Sequence, residues 1–269
     1  MEFRPIEENL RQSFRILAGG RTRSDVLELP GVSIASLGVA FQMFNAAFLS
    51  TAVETQQELE NRLRVAREHF DSRGMAWSFW ICEDWLSRPL RRRLSRVCQN
   101  FGLRPAAEMP GMIARRIAPP ARRLPEIEVR PVDSIGTLRD FRAIGSTCFH
   151  VPPAWFSEVF DDRFADGSPF ACMVGYHDGV PVATAASVPS EGAIGLYNIA
   201  TTPQYRELGY AEAITRRAIQ EALKQNGPAQ VVLQSTSQAL TLYERMGFEA
   251  VTRIVAYNSV SAAKGNGTT

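Results

Sequence analysis

Short apolar runs alternate with stretches of helical periodicity in the second half of the chain. The runs at 170–176 and 180–188 flank His177-Asp178-Gly179, and an Asp-Gly step between two such runs predicts a β-hairpin. Residues 211–222 repeat apolar side chains about every four positions, which predicts an amphipathic helix. The other expected elements are strands at 126–132, 192–200, 230–234 and 248–257 and helices at 134–149 and 237–246. This alternation predicts an α/β (α+β) fold.

The first half repeats part of this plan. The apolar run at 75–82 corresponds to the strand at 230–234, and 90–100 corresponds to the short helix that follows it. Further apparent elements are a long strand at 32–49, a crossover helix at 54–70 and a last strand at 109–117. We therefore expect two domains of similar plan, each a mixed, mostly antiparallel sheet flanked by helices, with the N-terminal one partial.

A proline-rich segment separates the two halves. Three prolines and two arginines between Ile117 and Pro125 interrupt any helix or central strand. We therefore place a first domain at 1–117, a linker at 118–125, a second domain at 126–260 and a flexible tail at 261–269.

Composition and charge narrow the function classes. The chain has 269 residues, 45% of them hydrophobic, and a formal charge of +2. So small a charge argues against nucleic acid as a partner. No window reaches the roughly 18 apolar residues that span a bilayer, and no signal-type segment begins the chain, so we expect a cytoplasmic protein that does not bind membranes. The four cysteines lack metal-ligand spacing, which predicts free thiols and no metal.

The candidate chemistry lies in the turn that precedes the predicted helix at 211–222. A strand there runs into a tight turn that opens a helix, and such helix N-termini bind anions through free backbone N–H groups and the helix dipole. Gly209 and Ala211 keep bulk away from these amides, while Arg206 adds a positive charge. An ordinary strand-to-helix connection containing a glycine is the alternative for the turn taken alone.

The turn and its surroundings resemble the GNAT superfamily of N-acetyltransferases. The resemblance covers residues 126–257. It rests on the predicted strand at 192–200 and helix at 211–222 and on three motifs: Ile-Ala-Thr-Thr-Pro, Arg206-Glu-Leu-Gly-Tyr-Ala211 and Leu-Tyr243-Glu-Arg-Met-Gly-Phe. The first half is then similar to a degenerate tandem copy, because it offers only Leu-Ser-Thr-Ala at 49–52 where the turn stands. This implies one acetyl-CoA site per chain.

The resemblance implies roles for individual residues. Tyr243 takes the position of the general acid that protonates the departing thiolate. Thr236 or Ser237 replaces an asparagine that many relatives carry, which weakens that assignment. The remaining cofactor contacts are the pantetheine strand, Ile199, Ala200 and Thr201, and the pyrophosphate turn, Arg206, Glu207, Leu208, Gly209, Tyr210 and Ala211.

The acceptor site carries no motif that identifies its ligand. By position, the loop at 148–155 would lie over it, which makes His150, Trp155 and Glu158 candidates and His150 and Glu158 candidate general bases. Trp77, Trp80 and Trp85 are expected to pack in the core, with an aromatic acceptor pocket as the alternative.

These features predict an enzyme that transfers an acetyl or short acyl group from acetyl-CoA to a primary amine of a small molecule or amino acid, directly in a ternary complex. A non-catalytic acyl-CoA sensor or partner-binding module is the alternative, because a fold alone does not prove turnover. We expect a monomer or homodimer.

Overall fold

A computed structural model describes residues 2–166 and 168–260 of the chain. The predicted tail at 261–269 lies outside the described residues. The helices are α1 (Arg4–Ala18), α2 (Gln56–Asp71), α3 (Arg88–Arg91), α4 (Leu94–Asn100), α5 (Ile135–Phe149), α6 (Pro153–Val159), α7 (Tyr210–Asn226) and α8 (Leu240–Arg245). The strands are β1 (Asp25–Leu29), β2 (Val32–Ser36), β3 (Asn45–Leu49), β4 (Ser78–Cys82), β5 (Leu103–Ala114), β6 (Glu128–Pro131), β7 (Ala171–His177), β8 (Val180–Ser190), β9 (Ala193–Thr201), β10 (Gln230–Gln234) and β11 (Glu249–Ser259).

All the strands join one sheet with helices against it. Its order is β1-β2-β3-β4-β11-β5-β10-β9-β8-β7-β6, and only β3/β4 and β9/β10 pair in parallel. Each parallel pair is connected by a long helix, α2 in the first half and α7 in the second, because parallel strands need a crossover. The predicted mixed, mostly antiparallel sheet flanked by helices is confirmed.

The two halves of the chain exchange their last strands. β11 pairs with β4 on one side and with β5 on the other, while β5 also pairs with β10. The long β5/β11 ladder aligns Ile254 with Met109 near its middle. The sheet is therefore continuous across the proline-rich linker at 118–125, although that linker separates the halves in sequence.

Helix α1 packs across the centre of the sheet and was not expected from the sequence. It buries Ile6, Leu10, Phe14 and Leu17, whose spacing of three to four residues is the signal that could have identified it. Asn9 ties the helix to the second half: its amide nitrogen donates to the Val188 carbonyl at 3.0 Å, and its oxygen accepts from Tyr197.

Two expectations for local structure are corrected. The single long strand at 32–49 is wrong: β2 and β3 pair antiparallel after a reversal in which Gly38 takes φ +69°. The single helix at 90–100 is two short helices, α3 and α4. The predicted hairpin is confirmed, because Asp178 and Gly179 both have positive φ between β7 and β8.

Candidate active site

The turn before α7 leaves the first amides of the helix open to the cleft. Glu207 and Gly209 have φ of +65° and +99°, which curls the chain just before the helix begins at Tyr210. Gly209 is the N-cap, and no side chain caps this end. Because the first amides of a helix have no intrahelical acceptor, they can donate to an anion.

The corresponding helix of the first half begins differently. Thr55 caps α2 through its hydroxyl, and the Glu58 carboxylate accepts from the amides of Glu54 and Thr55. These bonds lower the pKa of Glu58, so its negative charge stays at the helix start. This end of α2 is thus already occupied by its own carboxylate, whereas the first-turn carboxylate of α7, Glu212, pairs with Arg216 at 2.7 Å.

The proline-rich linker at 118–125 packs against the turn before α7. Arg122 donates from Nη2 to the Glu207 carbonyl at 3.0 Å. A Cβ on Gly209 would lie 3.0 Å from Pro125 Cδ and 3.5 Å from Arg122 Nη2. The position therefore favours glycine on two grounds, its positive φ and the limited space, and Arg122 brings a positive charge to the cleft.

Strands β9 and β10 separate beside this turn. Their pairing ends at Leu233 with Leu196, whereas on its other edge β10 stays paired with β5 through Gln234 and Gly111. The pairing of β9 with β8 shifts register here and forms a β-bulge, in which Asn198 has positive φ and its carbonyl accepts from the Thr184 hydroxyl. The bulge bends β9 away and opens a gap between the strands.

Two adjoining cavities, which share five lining residues, fill this gap. The outer cavity has a volume of about 370 Å³ and follows β9, the turn and α8. The inner cavity has a volume of about 210 Å³ and lies between β9, β10 and the first half of the chain. The residues common to both linings are Phe149, Ile199, Thr236, Ala239 and Tyr243.

Tyr243 stands at the junction of the two cavities. Its ring packs edge-on against Phe248 with 5.7 Å between centroids, and the side chain is 5% exposed. Burial raises the pKa of the phenol, so it stays protonated at neutral pH. Within the described residues, no hydrogen bond engages its hydroxyl. The junction thus holds a neutral, unengaged proton donor.

Most of the cofactor residues predicted from the sequence line the outer cavity. They are Ile199, Ala200, Thr201, Arg206, Glu207, Gly209, Ala211 and Thr236. Leu208 points outward at 56% exposure, Ser237 is exposed, and Tyr210 is buried against His177 and Tyr205. Arg122 and Arg245, which were not among the predicted cofactor residues, also line this cavity. Their positions depend on how the linker and α8 pack.

The predicted acceptor-site residues lie elsewhere. His150 caps the end of α5 with φ +54° and is exposed. Trp155 stacks on Phe41 at 5.5 Å, and the Glu158 carboxylate accepts from the Ala40 amide at 2.9 Å. Trp155 and Glu158 thus contact a loop of the first half, and none of the three residues lines either cavity.

The first half of the chain supplies much of the inner cavity instead. Ser13 and Phe14 come from α1, Phe44 precedes β3, and Trp80 comes from β4. All three tryptophans pack in the core, as expected, and Trp80 also lines this cavity. Helix α1 could have been identified by its apolar spacing, but its position over β9 depends on long-range packing.

The described residues, 2–166 and 168–260, contain no group of three or more His, Cys, Asp or Glu side chains arranged to hold a metal ion. No helix among them is both long and apolar enough to cross a membrane.

One protein-family model matches the region that contains the turn. The family model described as "Acetyltransferase (GNAT) domain" matches residues 168–250. No curated protein matches the chain. A GCN5-related N-acetyltransferase from Kribbella flavida superposes with a TM-score of 0.70 at 17% identity, covering 94% of this chain and 95% of that one.

Two further solved structures share the fold. A functionally unknown conserved protein from Staphylococcus epidermidis has a TM-score of 0.64 at 11% identity and covers 88% of this chain and 94% of its own. A GCN5-related N-acetyltransferase from Sphaerobacter thermophilus has a TM-score of 0.58 at 17% identity, with 85% and 76% covered. The likeness therefore extends over both halves of the chain and concerns the fold.

Proposed function

We propose that this chain, which carries a GNAT acetyltransferase domain over residues 168–250, transfers an acetyl group from acetyl-CoA to a primary amine of a small molecule in a ternary complex. The observation that carries the proposal is the junction of two cavities at Tyr243. One cavity leads to an uncapped helix N-terminus, and the other opens between the two halves. Donor and acceptor can therefore enter from different sides and meet at one proton donor.

The residues of the outer cavity suit acetyl-CoA. Its pyrophosphate is an anion, and the start of α7 offers free amides with about half a positive charge from the helix dipole. Arg122, Arg206 and Arg245 add three guanidinium groups to the same lining. The pantetheine arm needs an unpaired strand edge, and β9 provides one where β10 leaves it after Leu196.

Acetyl-CoA supplies an activated acyl group as a thioester. The protein's contribution is to position the amine and to manage one proton. The new C–N bond replaces the C–S bond, the nitrogen loses a proton and the sulfur gains one. In this proposal Tyr243 provides the proton for the sulfur, because its hydroxyl is protonated and lies at the junction.

A non-catalytic acyl-CoA sensor is a second candidate. It is favoured by one observation: no carboxylate or imidazole belongs to the described lining of the inner cavity, so no general base stands there. A sensor requires none, and an enzyme acting on an amine that is already neutral requires none either. The two candidates differ in turnover.

A paired binding and turnover experiment tests the proposal. Acetyl-CoA binding is measured by calorimetry, and CoA release is measured with a broad panel of amines and amino acids. The enzyme interpretation expects micromolar-range binding together with amine-dependent CoA release and a product heavier by one acetyl group. Binding without transfer to any amine favours the sensor, and absence of binding contradicts both candidates.

A further inference from the structure

We propose that the acceptor is a weakly basic aromatic amine that is uncharged at neutral pH and carries no carboxylate or phosphate. This inference rests on the proposed acetyl transfer and concerns the inner cavity. Three features of that cavity carry it: its aromatic walls, the absence of charge in its described lining, and one buried amide without a partner.

The walls of the inner cavity form a continuous aromatic surface. Phe14 stacks with Phe44 at 5.3 Å between centroids and meets Trp80 edge-on at 5.3 Å, and all three line the cavity with Phe170. Aromatic side chains bind a flat ring by stacking and edge-to-face contacts. The volume is about 210 Å³. An apolar cavity of about 150 Å³ is known to bind benzene, so one substituted ring fits this space.

The lining contains nothing that would hold an ammonium ion. The described residues around the inner cavity include no Asp, Glu, His, Lys or Arg. An alkylamine has a pKa near that of lysine, about 10.4, so it is almost entirely charged at neutral pH. Moving that charge into an apolar cavity without a partner is costly. An amine attached directly to an aromatic ring is far less basic, because its lone pair is delocalised, and it enters uncharged.

The same absence explains how attack can proceed without a base. A neutral aromatic amine already has a free lone pair, so no proton must be removed before it attacks. During transfer the nitrogen loses one proton and the sulfur gains one, which leaves the total balanced. In this exchange Tyr243, at the junction of the two cavities, gives its proton to the sulfur, and its phenolate is reprotonated by the proton that the nitrogen loses.

One buried polar group marks where a substituent of the ring would bind. Gln234 lines the inner cavity at the point where β10 leaves β9, and its Nε2 atom is buried without a hydrogen-bond partner. A buried amide without a partner costs free energy that a ligand can recover. A ring substituent with an oxygen, such as an ether, carbonyl or hydroxyl, would supply that partner.

Three amines that share a phenyl ring separate this inference from the proposed function. We would measure kcat/KM of the native chain with acetyl-CoA for 4-methoxyaniline, 2-phenylethylamine and phenylalanine, detecting both CoA and the amide product. At about pH 7.5 the aromatic amine should exceed the other two at least about tenfold. Its rate should be flat as pH rises, whereas the rate with 2-phenylethylamine should grow about tenfold per pH unit as its neutral fraction grows.

The outcomes are distinguishable. Preference for 2-phenylethylamine or phenylalanine at neutral pH overturns the inference and leaves the acetyl transfer standing. Acetyl-CoA binding without transfer to any amine of the broad panel overturns the proposed enzyme, and the inference falls with it. Efficient transfer to the aromatic amine with a flat pH profile supports both.

A pair of variants tests the role of charge directly. Met43 lines the inner cavity and is half-buried, so Met43→Glu adds a carboxylate without filling the core. It should raise the kcat/KM ratio of 2-phenylethylamine to 4-methoxyaniline about tenfold, because hydrogen bonds to charged groups are the strong ones. Met43→Gln controls for size and polarity and should leave that ratio near the native value. An unchanged ratio in a folded Met43→Glu protein contradicts the inference, and the comparison on the native chain does not depend on this variant.

Discussion

Tyr243→Phe removes one oxygen at the junction of the two cavities. The ring keeps its contact with Phe248, and no hydrogen bond of the hydroxyl among the described residues is lost. The free energy of unfolding should therefore change by less than about 1 kcal/mol. The affinity for acetyl-CoA should also stay near the native value, because the turn that we propose to bind the pyrophosphate is untouched.

The expected loss is in turnover. Positioned general acids contribute about 10²- to 10⁴-fold, and burial raises the pKa of this phenol, which makes it a weaker acid. The lower end of the range applies, so kcat should fall about 100-fold. The measurement is steady-state CoA release at saturating acetyl-CoA and amine, with binding followed by calorimetry.

Tyr257→Phe is the matched control. Tyr257 is also a buried tyrosine with a raised pKa, but it lies on β11 and lines neither cavity. It should keep the native kcat. A Tyr243→Phe protein that is folded, binds acetyl-CoA and turns over as fast as the native chain would refute the assignment of Tyr243 as proton donor.

Three further predictions concern the cleft and the core. Gly209→Glu should weaken acetyl-CoA binding at least about tenfold in a folded protein. The substitution adds a negative charge at the turn, strains a backbone with φ of +99° and brings a Cβ within 3.0 Å of Pro125. Native affinity in calorimetry would argue against the turn as the phosphate site. Arg122→Ala should weaken acetyl-CoA binding about tenfold and reduce the dependence of that binding on salt. Arg123→Ala is the control, because the Arg123 side chain is exposed, and it should leave the affinity near the native value. Equal effects of the two substitutions would contradict a specific role of Arg122. Burial raises the pKa of the Cys98 thiol from about 9 in the unfolded chain to about 12 in the folded protein. The stability that this thiol contributes is therefore fully present below pH 9 and is lost as the pH rises toward 12. Urea unfolding should show a falling free energy above about pH 9, and a steady value up to pH 11 would contradict this.

Local signals predicted the second half well. The Asp178-Gly179 step identified the hairpin because a two-residue turn of this type needs positive φ at both positions. The glycine turn and the apolar face of the following helix placed α7 within one residue of its start. These features depend on neighbours in sequence, so the sequence alone reveals them.

The parts that were missed depend on distant neighbours. The exchange of β5 and β11 cannot be predicted from periodicity, because either strand could pair within its own half. The contribution of α1 and of Trp80 to the inner cavity likewise could not be predicted, because these residues lie far from β9 in sequence. Gly195 illustrates the same dependence: a Cβ there would lie 1.7 Å from Asn9 Oδ1, a contact between residues far apart in sequence.

The proposed reaction moves an acetyl group from acetyl-CoA to an amine. The most direct measurement incubates the native chain with acetyl-CoA and an amine panel and quantifies free CoA and acetylated amine by mass spectrometry in the same sample. The two products should form in equal amounts, and both should decline in Tyr243→Phe. Release of CoA without acetylated amine, or no release from a chain that binds acetyl-CoA, would contradict it.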